Sequence, residues 1–161
     1  MKKSFIITLS LMILGLGFYS CSDKDENEVE NLISYSELPE EAQKFLSTYF
    51  RGEENVLKVE ENIENSGTLY EVNTKDGFEI VFNARGYWQE IDAPSGKTIP
   101  VSVLPEPIRQ TLSYQYHGYG VVEVNTTGEN YHLVLSNNQG GDSLDLTFNQ
   151  SGEIVSTGEM D

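Results

Sequence analysis

With one cysteine, two histidines and ten basic residues against 26 acidic ones, this 161-residue chain has few of the groups that catalysis or nucleic-acid binding needs. Cys21 has no second thiol to pair with, so disulfides and cysteine-based metal sites within the chain are excluded. His117 and His132 lie well apart, with no third ligand type gathered near either, whereas a protein zinc site takes about three or four ligands. No metal centre is assigned. No Gly-x-Ser-x-Gly elbow and no Ser-x-x-Lys occurs, so neither a hydrolase nor a β-lactamase nucleophile is visible. Ser95-Gly96-Lys97-Thr98 imitates the end of a phosphate loop, but Ile91 stands where the first glycine is required. The net charge of −16 repels phosphate backbones, whose recognition rests on lysine and arginine, so nucleic acid is not a partner. These absences argue against an enzyme, and no catalytic residue or cofactor is assigned.

Long apolar runs are also missing, with one exception. Lys2 and Lys3 precede a nearly unbroken apolar stretch from Phe5 to Phe18. It is shorter than the roughly 20 residues that span a bilayer, which suits a signal peptide over residues 1–20. The stretch ends Gly17-Phe18-Tyr19-Ser20-Cys21, which resembles a loose lipobox with Phe18 where leucine is usual. The resemblance implies cleavage and acylation of Cys21, and so attachment to a membrane through lipid. The mature chain would carry eight basic and 26 acidic residues, a net of −18. Residues 21–36 then read as the lipidated cysteine and an acidic, disordered tether. Asp23, Asp25 and Asn27 open like a calcium loop, but Glu28 and Ser34 occupy its required Gly and Glu positions. Ser22-Asp23-Lys24-Asp25-Glu26 resembles the acidic export signal of Bacteroidetes surface lipoproteins. That implies display on the outer face of the outer membrane, with a periplasm-facing spacer as the alternative.

Beyond the tether the sequence echoes itself. Leu38-Pro39-Glu40 returns as Leu104-Pro105-Glu106, and Phe82-Asn83-Ala84-Arg85-Gly86 as Phe148-Asn149-Gln150-Ser151-Gly152, both 66 residues on (104 − 38 and 148 − 82). Phe78, Ile80 and Phe82 map onto Leu144, Leu146 and Phe148 at the same offset. The register predicts an α+β tandem repeat, a helix packed on a four-stranded antiparallel sheet, twice over. Its bounds are 37–92 and 103–161, with 93–102 as linker.

Each helix is announced by a proline and acidic residues suited to its positive end. Ala42, Phe45, Leu46, Tyr49 and Phe50 fall on one face of the first. In the second, Thr111 and Gln115 replace Phe45 and Tyr49, so its apolar face is thinner. Strands are predicted near 56–61, 68–74, 78–83 and 87–92, then 121–125, 130–136, 143–149 and 153–157. Alternation is clear where Phe78, Ile80 and Phe82 interleave with Glu79, Val81 and Asn83.

Tyr70-Glu71-Val72, Gly77, Ile80, Phe82, Gly86, Trp88 and Ile91, together with Leu38-Pro39, resemble the PepSY-like, β-lactamase-inhibitor-like domains of Bacteroidetes lipoproteins. The likeness covers most of the mature chain and a weaker second copy. It implies the helix-on-sheet unit twice, and a secreted protein without known catalysis. Asn83 and Asn149 stand where that family often has Asp, which removes a carboxylate from both turns.

If the helices cover the Phe82 side, the opposite sheet face should carry Glu79, Val81 and Tyr87, with His132, Asp145 and Glu153 from the second half. An exposed aromatic among acids suits an interface with another secreted or surface protein. Two further candidates are the stretch Tyr114 to Tyr119 and a weak calcium site in the loop 137–142. The expected function is a non-catalytic envelope binding module, inhibitor-like by resemblance. A structural or calcium-responsive envelope protein is the alternative.

Overall fold

The computed structural model describes residues 31–137 and 143–159. Cys21, the signal peptide, most of the tether and residues 138–142 of the candidate calcium loop lie outside the described residues.

Two α-helices and eight strands, with three short 3-10 turns, make up the described chain. Helix α1 (Glu40–Tyr49) is followed by β1 (Val56–Glu64), β2 (Gly67–Thr74), β3 (Glu79–Asn83) and β4 (Trp88–Asp92). Helix α2 (Glu106–Gln115) is followed by β5 (Tyr119–Thr127), β6 (Asn130–Asn137), β7 (Ser143–Phe148) and β8 (Ile154–Glu159). Both helices begin directly after an extended proline, Pro39 and Pro105, and end when Phe50 and Tyr116 donate back to Leu46 and Leu112. Residues 31–33, assigned to the tether by composition, run against β1, where Ile33 N–H donates to the Val59 carbonyl and Glu61 N–H to that of Asn31.

The expectation of two four-stranded sheets is corrected. All eight strands form one antiparallel sheet in the order β1 to β8. The join is β4 against β5, where Glu90, Ile91 and Asp92 pair with Asn125, Val124 and Glu123. Two bonds extend it, from Ala93 N–H to the Val122 carbonyl and from Ile99 N–H to that of Val121. Two separate sheets would each have left a row of unpaired backbone groups at this place. Fusing them satisfies both rows and buries Ile91 and Val124 completely. The core follows suit, since Leu46 and Phe82 belong to the same apolar cluster as Leu112 and Phe148.

Both helices lie on one face of that sheet. Phe45 of α1 packs edge-on against Phe82 with ring centroids 5.7 Å apart, and also meets Tyr49, Phe50 and Trp88. The turns at Asn83 and Asn149 fix the helices to the sheet. Each Asn side-chain oxygen accepts two backbone N–H groups, from Arg85 and Tyr87 or from Ser151 and Glu153. Gly86 and Gly152 close these turns at φ 82° and 79°, where L side chains are strained. A Cβ there would sit 2.8 Å from the Ala42 nitrogen or 2.6 Å from the Pro107 carbonyl, so glycine lets each turn tuck beneath a helix. Among the described residues no helix is long and apolar enough to cross a membrane.

Candidate interaction face

The sheet face turned away from the helices is fixed by strand alternation. Ile80, Phe82, Ile91, Val124, Leu133 and Leu146 point to the core, so their neighbours in sequence point outward. Cross-strand register then lines the outward residues into rows. One row runs Glu60, Glu71, Val81, Glu90, Asn125, His132, Thr147. The next runs Lys58, Asn73, Glu79, Asp92, Glu123, Val134, Asp145. Carboxylates are the commonest groups in both, and the basic groups stand near the ends: Lys58 Nζ is 2.9 Å from Glu60, and His132 Nε2 donates to Asp145 Oδ1 at 2.7 Å.

The acids crowd most at the β4–β5 join. Carboxylate oxygens of Glu90, Asp92 and Glu123 all lie within 4.8 Å of one another. Like charges directly opposite each other across strands are destabilising. Partial burial pushes the Asp92 carboxyl up to about 7, helped by the charges of Glu123, Glu90 and Glu79. Glu90 is raised too, by burial first and then by Glu123, Glu71 and Glu79. A proton, a metal cation or a cationic side chain would each relieve this concentration of negative charge.

By contrast, Asp76 is an acid fully absorbed into the fold. It accepts from the Asn55 amide and the Thr74 hydroxyl, both at 2.8 Å, with Lys97 and Arg51 nearby. Burial works against its charge, but these partners outweigh burial and hold the carboxyl below its usual range.

The structure places Glu79, Val81, His132 and Asp145 together on the open face. Tyr87 and Glu153 are elsewhere, at the two Asn-led turns. Tyr87 lines a cleft of about 410 Å³ beside α1, with Phe45, Tyr49 and Trp88. Glu153 accepts from the Asn149 amide. Both precede their strands, with their backbone N–H groups held by the Asn83 and Asn149 side chains, so strand alternation does not fix which way they point. Of the aromatic stretch, Tyr114 is exposed while Tyr116 and Tyr119 pack against the core and each other. Sequence reasoning missed Glu90, Asp92 and Glu123. Their signal was present, because Glu90 and Asp92 flank Ile91 in a strand, but only the join brings Glu123 beside them.

Comparison with known proteins agrees with this fold. Residues 68–156 match the profile of the family described as "Putative beta-lactamase-inhibitor-like, PepSY-like". Among solved structures, a "putative periplasmic protein of unknown function" from Bacteroides vulgatus superposes with a TM-score of 0.67 at 26% identity, over 78% of this chain and 95% of that one. A DUF2874-family "putative periplasmic protein" from the same species gives 0.70 at 21% identity, over 83% and 99%. A "putative calcium-regulated periplasmic protein" from Bacteroides thetaiotaomicron gives 0.70 at 21%, over 82% and 98%. No curated protein matches the sequence.

Proposed function

This chain belongs to the PepSY-like, β-lactamase-inhibitor-like family, and from that premise we propose that it is a non-catalytic envelope binding module whose open sheet face receives a cationic partner protein. The observation that carries the reading is the pair of acid-rich rows, with Glu90, Asp92 and Glu123 packed together at their centre. A cationic surface laid on them would relieve like-charge repulsion and gain complementarity, which raises association rate and selects partners. Lipid at Cys21 would hold the module at the outer membrane, facing outward by the acidic sequence that follows. Its position there would set which secreted or surface proteins it meets.

The test is capture of secreted proteins by the immobilised, natively processed chain at low and high salt. Basic proteins should be retained over acidic ones, released by salt, and lost from a Glu90→Gln/Glu123→Gln variant. Equal capture by that variant, or capture indifferent to salt, would reject the open face. Cys21→Ser should release the protein from membranes, and unaltered fractionation would reject the anchor.

The same three carboxylates favour a second reading, a calcium-responsive envelope protein. Oxygen donors suit a hard divalent cation, and three carboxylates supply part of the roughly six to eight ligands that calcium takes. A ligand bound only by the folded state raises the melting point. Millimolar calcium should therefore raise it for the native chain and not for Asp92→Asn. No shift in the native chain dismisses this reading.

A further inference from the structure

The two ends of the sheet are finished differently. At the β1 edge residues 31–33 cover part of the strand, with Leu32 bridging Glu60. The outer side of β4 is likewise covered, by β5. Strand β8 pairs with β7 on one side, and among the described residues no strand lies on its other. Proteins usually guard such an edge with lysine, proline or a covering segment. Here Ile154 to Gly158 contains neither residue, and Val155, the residue bulged out of the β7 register, stands 54% exposed. The bulge in the β7–β8 pairing falls at its start, which leaves Ser156 to Glu159 in regular register.

Gly158 is the second observation. Its φ lies outside the left-handed region, so backbone conformation does not demand glycine here. What glycine supplies is space: a Cβ would meet Asp145 Cβ at 3.2 Å and Oδ2 at 3.5 Å. Asp145 thus leans over the edge strand. His132 holds its Oδ1, while Oδ2 has no partner among the described residues and faces the gap that glycine leaves.

We infer that the free edge of β8 accepts an extended segment of a partner protein as a ninth strand, with a lysine or arginine of that segment reaching across Gly158 to Asp145. The inference rests on the binding-module reading and names its partner more closely. A strand added about 4.8 Å beyond β8 leaves a long basic side chain opposite Gly158 within reach of Oδ2. Main-chain bonds along the edge supply affinity, and this one charge supplies selection. A second copy of the chain does not fit. Each copy carries −16, and its own β8 has no cation to offer Asp145.

The test uses the natively processed, isotope-labelled protein in detergent micelles. The probe is a capped heptapeptide of alternating threonine and valine with a central lysine, N-methylated along one edge to prevent self-assembly. Backbone amides of Val155 to Gly158 should shift, and those pointing away from β7 should become protected from exchange. The lysine peptide should bind about five- to tenfold more tightly than its glutamate counterpart, and Asp145→Asn should erase that difference. Gly158→Val, checked for an unchanged melting point, should weaken the lysine peptide while the glutamate peptide changes little. Silence at β8, equal affinity for the two peptides, or β8 shifts that depend on protein concentration alone would overturn the inference. Shifts confined to Glu79, Glu90 and Glu123 would overturn it while leaving the open-face reading intact.

Discussion

The two faces of the one sheet are built from the same strands and obey opposite rules. In β3 and β4, Ile80, Phe82 and Ile91 are wholly buried under the helices, while Glu79, Glu90 and Asp92 alternate with them on the outside. The covered face gains roughly 25 cal/mol for each Å² of apolar surface removed from water. The open face sets like charges opposite one another across strands, which costs stability. One side therefore holds the fold together and the other spends part of that stability on a charged surface, the usual trade of a binding site. The contrast should be largest between Phe82 and Glu79. Phe82→Ala should cost about 3–5 kcal/mol in urea unfolding, since the ring is fully buried and touches Phe45. Glu79→Ala, on the same strand, should change stability by less than about 0.5 kcal/mol or raise it. Comparable losses for the two would mean that the open face is also a packed one.

The pH dependence of Asp92 sharpens the comparison next. Its carboxyl is raised from an ordinary 3.8 to about 7, by partial burial first and then by Glu123, Glu90 and Glu79. The folded chain thus holds this proton over a range where the unfolded chain has released it. Stability from this group is fully present below pH 3.8 and is lost as pH rises through about 7. The side chain is partly solvated, so screening leaves an effect of about 1 kcal/mol. Asp92→Asn should match the native chain near pH 4 and exceed it by about that amount at pH 8, measured by urea unfolding at both. A variant less stable than the native chain at pH 8 would mean that Asp92 is held by a partner rather than repelled by its neighbours.

Why the covered face was legible in the sequence and the open one only in part follows from what each depends on. Apolar alternation is local, and Phe78, Ile80, Phe82 and their counterparts Leu144, Leu146, Phe148 announce their strands directly. The strands predicted from that pattern agree with those observed to within a few residues, and both helices begin where Pro39 and Pro105 indicate. The open face depends on which strand lies next to which. Glu123 meets Asp92 only because β5 docks on β4. The similarity of the two halves argued for separate sheets, and no local pattern marks an edge that will be covered. Tyr87 and Glu153 lie in the Asn-led turns just before β4 and β8, where alternation within a strand no longer fixes the face that a side chain takes.

The finest contrast lies between two valines one register step apart on β5 and β6, Val124 on the covered face and Val134 on the open one. Val134 is only 7% exposed yet stands outside the core cluster, in the row between Glu123 and Asp145, whereas Val124 is completely buried within it. Accessible area alone ranks them as near equals. Chemistry does not. Replacing either by threonine keeps the shape and adds one hydroxyl. At position 124 that hydroxyl enters an apolar interior and loses its water, a penalty of about 1–3 kcal/mol. At position 134 the neighbouring carboxylates of Glu123 and Asp145 can accept its hydrogen bond, so Val134→Thr should cost less than about 0.5 kcal/mol. Paired urea titrations of the two variants measure the difference. Equal losses would show that the acid rows shield a second apolar layer beneath them, and the open face would then be a core surface that lacks its covering partner.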